Sequence, residues 1–257
     1  SFVRTWNYDN VHPSGIGRPP DQEPPSDLDW DLWLGPAPWK PYNPNRFGVS
    51  LDADDRYTRW ATFRYFWDYG GGYMTDWGVH LLDIVQWAIE EPHPVQVDAT
   101  GGSFHLRDNR QTPDTLSVSY RYPDCLVTYE NRLCNGWSPE VRSYGIQFHG
   151  TDGTLFVDRS GWELTPEDGS PLEPRAQQGR GTGSHMDDFL ESVRTRERPV
   201  SDIENGHRST STCLLGNVAY RSGSTIEWDG ERETVVGDPE ARDLLSYAYR
   251  SPWQLEL

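Results

Sequence analysis

Cysteine is scarce: Cys125, Cys134 and Cys213 are the only three in 257 residues, and none stands in a Cys-x-x-Cys pair. An odd number without paired spacing argues against a disulfide framework or a structural zinc site, and points to free thiols in a reducing, cytoplasmic setting. Long apolar runs are absent too. Nothing approaches the roughly 20 residues needed to cross a bilayer. The opening Ser1-Phe2-Val3-Arg4-Thr5-Trp6 lacks the basic and apolar regions of a secretion signal. Basic charge is in deficit, with 23 Lys and Arg against 40 Asp and Glu, for a net charge of −17. Nucleic acid and anionic membrane surfaces are repelled by such a chain at long range, so neither is expected as a partner. A neutral, polyhydroxylated small molecule faces no such barrier.

What the chain does have is proline, aromatic residues and strand alternation, over a length that allows one large domain or two modest ones. Prolines crowd the stretch from His12 to Asn45, removing amide donors and forbidding regular helix or central strand. An extended arm over 12–60 is expected, pinned to the body by a helical turn within Leu28-Asp29-Trp30-Asp31-Leu32-Trp33-Leu34-Gly35. Beyond it, Val95-Val97-Ala99, Leu116-Val118-Tyr120-Tyr122, Val127-Tyr129, Ile146-Phe148 and Leu155-Val157 alternate as strands with one buried face. Turns are read at Pro123-Asp124 and Thr151-Asp152-Gly153. Residues 166–183 read as a loop.

Helices are predicted from the glycine loop at 70–72 to about Ile89, and over about 185–195, 202–221 and 241–249. The second carries the apolar stripe Met186, Phe189, Leu190 and Val193, and the third turns Ile203, Leu214, Leu215 and Val218 inward. Ile226 and Trp228 suggest a short strand. The fold class that follows is α+β: an open, mainly antiparallel sheet with helices packed on one face, plus the long Pro-rich arm.

The most informative stretch is Gly70-Gly71-Gly72-Tyr73-Met74-Thr75-Asp76-Trp77-Gly78-Val79-His80-Leu81-Leu82-Asp83. At about 100° per residue, Asp76, His80 and Asp83 fall within about 60° of one another, opposite the apolar positions Leu81, Leu82, Val85 and Ile89. Imidazole gives and takes protons near neutrality, which makes His80 the candidate acid/base. Asp76, one turn earlier, is placed to hold the ring or to bind a substrate hydroxyl. The plain alternative is a surface ion pair worth about 0.3–0.5 kcal/mol. Asp83 suits a structural hydrogen bond or a substrate contact. Gly71 and Gly72 can adopt positive φ and offer bare amides to a ligand, although close packing explains glycine equally well. Gly78 inside the helix implies a close approach to its backbone.

Trp6, Trp30, Trp33, Trp67 and Trp77 can offer flat faces to a sugar ring or simply fill core. His207 and Arg208 sit near a helix start, within reach of a site, unless His207 is a satisfied buried histidine. A metal triad of Asp76, His80 and Asp83 lacks a supporting second cluster, so no metal is expected. Gly179-x-Gly181-x-Gly183 has the wrong spacing for a dinucleotide fingerprint and no strand feeding it.

The spacing Gly71-Gly72-x-x-x-Asp76-x-x-x-His80-x-x-Asp83 resembles the second-domain signature of the glucose-fructose oxidoreductase and inositol dehydrogenase family, Gfo/Idh/MocA. Leu28-Asp29-Trp30-Asp31-Leu32-Trp33-Leu34-Gly35-Pro36, Asn43-Pro44-Asn45-Arg46, His149-Gly150-Thr151-Asp152-Gly153-Thr154-Leu155 and Ile203-Glu204-Asn205-Gly206-His207-Arg208-Ser209 resemble members with proline-rich arms. The resemblance spans nearly the whole chain. It implies an N-terminal Rossmann domain holding NAD or NADP, joined to a C-terminal α/β domain whose open sheet forms a homo-oligomer interface. It also implies His80 and Asp76 as catalytic residues at a sugar or polyol hydroxyl, with Gly71, Gly72, Trp77, Asp83, His207 and Arg208 around the substrate. A first-domain lysine in a Glu-Lys-Pro motif belongs to that pattern.

The nucleotide-binding half has no counterpart in these 257 residues, and the single lysine, Lys40, in Trp39-Lys40-Pro41-Tyr42, matches poorly. The chain is therefore expected to be one C-terminal substrate-binding and oligomerising domain, 1–257, beginning inside a longer product because Ser1 already opens a strand. It is not expected to transfer hydride alone. An export signal on the missing part would place the protein in the periplasm instead of the cytoplasm. Two competing readings remain: a self-assembling or carbohydrate-binding module without redox activity, and a non-redox sugar lyase or hydrolase.

Overall fold

Alternating apolar residues give each strand one face that must leave water, and the strands meet that demand by pairing into a single large sheet. The structure, a computed structural model, describes residues 1–51, 57–137, 142–170 and 182–254. In chain order its elements are β1 (Phe2–Tyr8), α1 (Trp30–Leu34), α2 (Pro44–Phe47), β2 (Val49–Leu51), β3 (Tyr57–Trp60), α3 (Tyr73–Asp76), α4 (Gly78–Ile89), β4 (Gln96–Gly102), β5 (Thr115–Arg121), β6 (Leu126–Arg132), β7 (Tyr144–His149), β8 (Gly153–Asp158), β9 (Gly161–Pro166), α5 (Thr182–Thr195), α6 (Ile203–Ser222), β10 (Ile226–Asp229), β11 (Thr234–Val236) and α7 (Pro239–Asp243). Among the described residues the main sheet has the order β11-β10-β4-β5-β6-β1-β7-β8-β9, and β2 pairs separately with β3. It is antiparallel except where β1 runs parallel to β6, with Val3 opposite Val127; on its other edge Val3 faces Phe148 of antiparallel β7. The expected α+β class, with an open and mainly antiparallel sheet, is the one observed.

One face of the sheet carries the main core. Leu81, Leu82 and Val85 of α4 and Cys213, Leu215, Val218 and Ala219 of α6 close over Val97, Val118, Tyr120, Val127, Tyr129 and Ile146. Burying each aliphatic side chain contributes about 1.5–3 kcal/mol, which is why the apolar stripe of α4 is held down. The open face is built differently. Trp6, Tyr8 and Phe156 pack together there, roofed by Arg132 at 3.7 Å from the Tyr8 ring and Arg142 at 4.1 Å from that of Phe156.

Several expectations need correction. The Pro-rich stretch is not an extended arm over its described residues. The helical turn expected within Leu28–Gly35 does form, as α1, and its Trp30 and Leu34 pack with Tyr42 on Tyr69, but Asn43 and Asn45 are buried as well and α2 forms beside them, so the stretch is folded against the body. Buried Asn45 explains this: its Nδ2 donates to the carbonyls of Ile16 and Gly17 and to Asn109 Oδ1, satisfying backbone acceptors that proline-rich chain cannot pair with itself. Residues 52–56 of the expected arm, and most of the loop with its Gly179-x-Gly181-x-Gly183 spacing, lie outside the described residues.

The predicted final helix shortens to α7, capped by Asp238, and the chain then leaves helical geometry so that Arg250 can reach Asp31 and the carbonyls of Gly35 and Ala37. Ile203 and Leu214, expected to point inward, are exposed, Ile203 by 89%. The helix predicted from the glycine loop to Ile89 is interrupted at Trp77, which caps α3 and starts α4.

Removing the Asn45 amide by Asn45→Ala is expected to cost about 2–4 kcal/mol, since three acceptors lose a donor and a void opens; urea denaturation checks it. A pH effect follows from Asp114. Burial raises its pKa, but N–H groups of His105 and Leu106 and the Thr115 hydroxyl outweigh burial and hold the carboxyl below its ordinary value. A depressed carboxylate stabilises the fold above the unfolded-state pKa, about 3.9. That contribution is lost as pH falls through the lowered folded value. Asp114→Asn is expected to flatten the acid limb of the stability curve in thermal melts.

Candidate functional site

The loop before α3 is set by close packing rather than by ligand. Only Gly72 of the three glycines has positive φ, +66°. All three amides are engaged inside the protein: Gly70 N–H donates to Phe66, Gly71 to the Thr75 hydroxyl at 2.9 Å and Gly72 to the Arg64 carbonyl at 2.8 Å. A Cβ on Gly71 would come within 2.2 Å of Asn217 Nδ2, and one on Gly72 within 2.8 Å of Thr112. The expectation of bare amides facing a ligand therefore gives way to a tight joint between the loop, Thr112 and α6. Gly78 is buried as expected, with Met74, Cys213 and Tyr129 around the place a side chain would need.

Past that joint the helix divides its residues between core and surface. His80 is exposed, and among the described residues its imidazole makes no hydrogen bond or ion pair. Asp76 does not hold it. The Asp76 carboxylate is paired instead with the guanidinium of Arg64, both side chains about a quarter exposed. Arg64 is aimed by its 3-10 turn, Thr62–Tyr65, which follows Ala61 in left-handed conformation at φ 55°; Arg64 Nε donates back to the Ala61 carbonyl at 3.0 Å. A non-glycine residue at that φ is a strained position, and here it fixes the cation that meets Asp76.

Trp77 links His80 to a cavity. Its indole lies edge-on to the His80 ring at 6.2 Å and 5.1 Å from Tyr144, with Arg159 at 5.0 Å from its centre. The cavity, about 580 Å³, is bounded by Trp77, Tyr73, Asn7, Asp9, Asn10 and Tyr144. Inside its wall the Tyr73 hydroxyl donates to Asp9 Oδ2 at 3.1 Å. Burial, with Tyr65 and Asp9 nearby, holds Tyr73 far above the usual phenol pKa, so it stays a neutral donor. Tyr8 is pushed up to about 12 by burial and by its hydrogen bond to Glu130. Asn7 Oδ1 is buried with no donor among the described residues.

The other predicted site residues lie elsewhere. Asp83 accepts a 2.7 Å hydrogen bond from Ser209, which ties α4 to α6. Asp83 and Arg208 border a separate cavity of about 630 Å³. His207 is exposed rather than buried, paired through Nε2 with Glu233, and Arg208 pairs with Glu204 one turn before it. The structure thus brings Trp77 beside His80, pairs Asp76 with Arg64, and leaves Gly71, Gly72, Asp83, His207 and Arg208 in packing or in other crevices. Among the described residues no three His, Cys, Asp or Glu side chains converge as a metal site, so Asp76, His80 and Asp83 do not form the triad weighed from their spacing.

Asn7, Asp9, Tyr73 and Arg64 were not singled out by sequence reasoning. The one available signal was polar Asn7, Asp9 and Asn10 ending the apolar strand β1.

A family model described as the C-terminal alpha/beta domain of an oxidoreductase family, GFO_IDH_MocA_C2, matches residues 5–255. No curated protein matches the chain. Solved structures of similar fold include the WlbA dehydrogenase of Bordetella pertussis in complex with NADH and UDP-GlcNAcA, with TM-score 0.52 and 14% identity over 89% of this chain and 54% of that one. UDP-N-acetylglucosamine 3-dehydrogenase of Acidithiobacillus ferrooxidans gives 0.51 and 13% over 86% and 53%. An NAD-binding protein of Listeria innocua gives 0.53 and 14% over 88% and 54%. This chain spans about half the length of each. With its fold and nearly its whole length in agreement, the chain belongs to the Gfo/Idh/MocA oxidoreductase family and corresponds to that family's C-terminal alpha/beta domain.

Proposed function

We propose that this chain is the substrate-binding half of an NAD(P)-dependent sugar or polyol oxidoreductase, with His80 as proton acceptor and donor at a substrate hydroxyl. The observation that carries the reading is an unpaired, exposed imidazole whose ring lies 6.2 Å, edge-on, from Trp77, the indole that borders a cavity also lined by Tyr73, Asn7 and Asp9. In this reading His80 takes the hydroxyl proton as the carbon is oxidised and returns it in the reverse direction. Asp76 keeps its charge balanced by Arg64 and offers its remaining lone pairs to a neighbouring hydroxyl. Trp77 supplies a flat apolar face, and the Asp9 carboxylate, which already accepts from the Tyr73 hydroxyl, keeps lone pairs for other hydroxyls of a polyol. NAD(P), when bound, supplies the hydride acceptor or donor.

The glycine-loop amides do not fit a pyrophosphate, since all three are already bonded. In this reading the cofactor belongs to a separate nucleotide-binding domain of a longer polypeptide. The NADH and UDP-GlcNAcA of the Bordetella structure support a nicotinamide cofactor and a sugar-class substrate. Three free cysteines support a reducing compartment such as the cytoplasm. The arginine-roofed aromatic layer on the open sheet face, rich in the residue types that interfaces favour, supports self-association there.

The test is steady-state turnover of a sugar and polyol panel by enzyme made from the complete natural gene. His80→Ala is expected to lower kcat by about 10²–10⁴-fold while leaving the melting temperature unchanged, because the ring is exposed and unbonded. Undiminished kcat rejects the assignment. Arg64→Ala leaves Asp76 without its counter-ion and is expected to reduce kcat/KM about tenfold or more, with partial recovery in Arg64→Lys. Equal activity of all three forms would remove Asp76 and Arg64 from the site.

A further inference from the structure

Two histidines far apart along the chain meet at the surface. His12 lies in the loop after β1 and His105 in the loop between β4 and β5, and their rings stand 4.5 Å apart, centre to centre, with planes tilted by 51°. Both residues are exposed. Each uses its backbone N–H, His12 toward Asn10 Oδ1 and His105 toward Asp114 Oδ2, and among the described residues neither imidazole makes a hydrogen bond or an ion pair. The ring nitrogens therefore stay available.

The fold holds the two rings in this relation from below. Val11, next to His12, is buried and donates its N–H to the Leu133 carbonyl at 2.8 Å; Leu106, next to His105, is buried and shares Asp114 Oδ2 with the His105 N–H. Val11, Leu106, Leu133 and Ile16 belong to one buried cluster. Ile16 N–H also donates to Asp108 Oδ2 at 2.9 Å, which joins the first loop to the second once more. A chelating pair on two loose loops would lose ordering entropy on binding, and here the packing has already ordered it. The nearby carboxylates are committed elsewhere: Asp114 to the two amides, and Asp108 to Arg110 in an ion pair whose side chains are each 2% exposed. That leaves the imidazoles as donors.

Their spacing suits a metal ion. A metal-bound imidazole nitrogen lies about 2.1 Å from the ion, so its ring centre lies about 3.2 Å from it. Two such rings at a right angle have centres about 4.5 Å apart, against about 5.2 Å at the tetrahedral angle. The observed separation is the right-angle value, the one that neighbouring donors take in tetragonal copper(II) and nickel(II) complexes. Exposed, unbonded rings can turn about their side-chain bonds to aim a nitrogen each at a shared ion. We propose that His12 and His105 form a two-imidazole site for a divalent transition ion of the copper or nickel type, with water completing its coordination, and that the ion clasps the loop after β1 to the β4–β5 loop. Magnesium and calcium, which take oxygen donors, are poor occupants. Zinc prefers the tetrahedral arrangement and needs the rings further apart. Neither histidine belongs to the proposed sugar chemistry, so the site stands or falls apart from it.

The test is calorimetric titration of Cu²⁺ and, separately, Ni²⁺ into untagged, chelator-treated protein made from the complete natural gene. A site present in the wild type is expected to weaken about a hundredfold in His12→Ala and equally in His105→Ala, since each leaves a single donor where a chelate stood. Electron spin-echo spectra of the Cu²⁺ form are expected to show two imidazole nitrogens in the wild type and not in either variant. Ni²⁺ is expected to raise the melting temperature of the wild type alone. Because both rings are exposed and unbonded, the metal-free variants should keep the wild-type circular dichroism and melting temperature. Undiminished affinity in either variant, Cu²⁺ spectra or Ni²⁺ stabilisation unaltered by the substitutions, or no binding of either ion by the wild type would overturn the site.

Discussion

Three tyrosines rise from the helix side of the sheet with no water around them, and the partners of their hydroxyls determine where the helices sit. Tyr129 donates to the Tyr73 carbonyl at 2.9 Å, Tyr120 reaches Met74 Sδ at 3.8 Å, and Tyr122 meets Gln86, whose amide also donates to Thr212 of α6. Burial drives all three well above the ordinary phenol pKa, so they act as permanent neutral hydroxyls. A buried hydroxyl without a partner costs free energy, so the helices are held wherever those contacts are made. Glycine makes the approach possible: a side chain at Gly216 would lie 2.6 Å from the Tyr120 hydroxyl.

Everything at the candidate site follows from that anchoring. Once Tyr73 and Met74 are held against the sheet, the two short helices meeting at Trp77 present the indole to the cavity and leave the His80 ring in the open. The strained turn at Ala61 delivers Arg64 to Asp76 from a segment twelve residues earlier, so the acid's partner is a cation and not the histidine. The carboxylate is thus committed to a guanidinium, and the imidazole is left without a bond.

How much of this was legible depended on whether the signal was local. The strands β5, β6 and β7 declare themselves because every second residue is apolar, and the His80 face declares itself because its spacing is helical. The turn at Gly153 is a short-range event and was readable for the same reason. That Asp76 pairs with Arg64 instead of holding the His80 ring was not legible, because helical spacing says which residues share a face but not which distant cation competes for a carboxylate. The glycine loop left two readings open because glycine permits positive φ and close packing alike, and Asn217 and Thr112, far along the chain, crowd it. The Pro-rich stretch looked like an arm because proline cannot pair with itself. Asn45 pairs its carbonyls from outside the regular ladder.

Residue order alone determined the α+β class, the family resemblance, the exposed histidine face and the amphipathic character of α5, since each is encoded in periodicity or in a motif of neighbouring residues. Tertiary structure alone decided that Arg64 holds Asp76, that Asn7, Asp9 and Tyr73 wall the cavity beside Trp77, and that the apolar side of α5 points away from the body. The reason is that hydrogen bonds, ion pairs and burial are relations in space between groups far apart along the chain. A periodic pattern tells which side of a helix is apolar, but only the packed fold tells which way that side is turned.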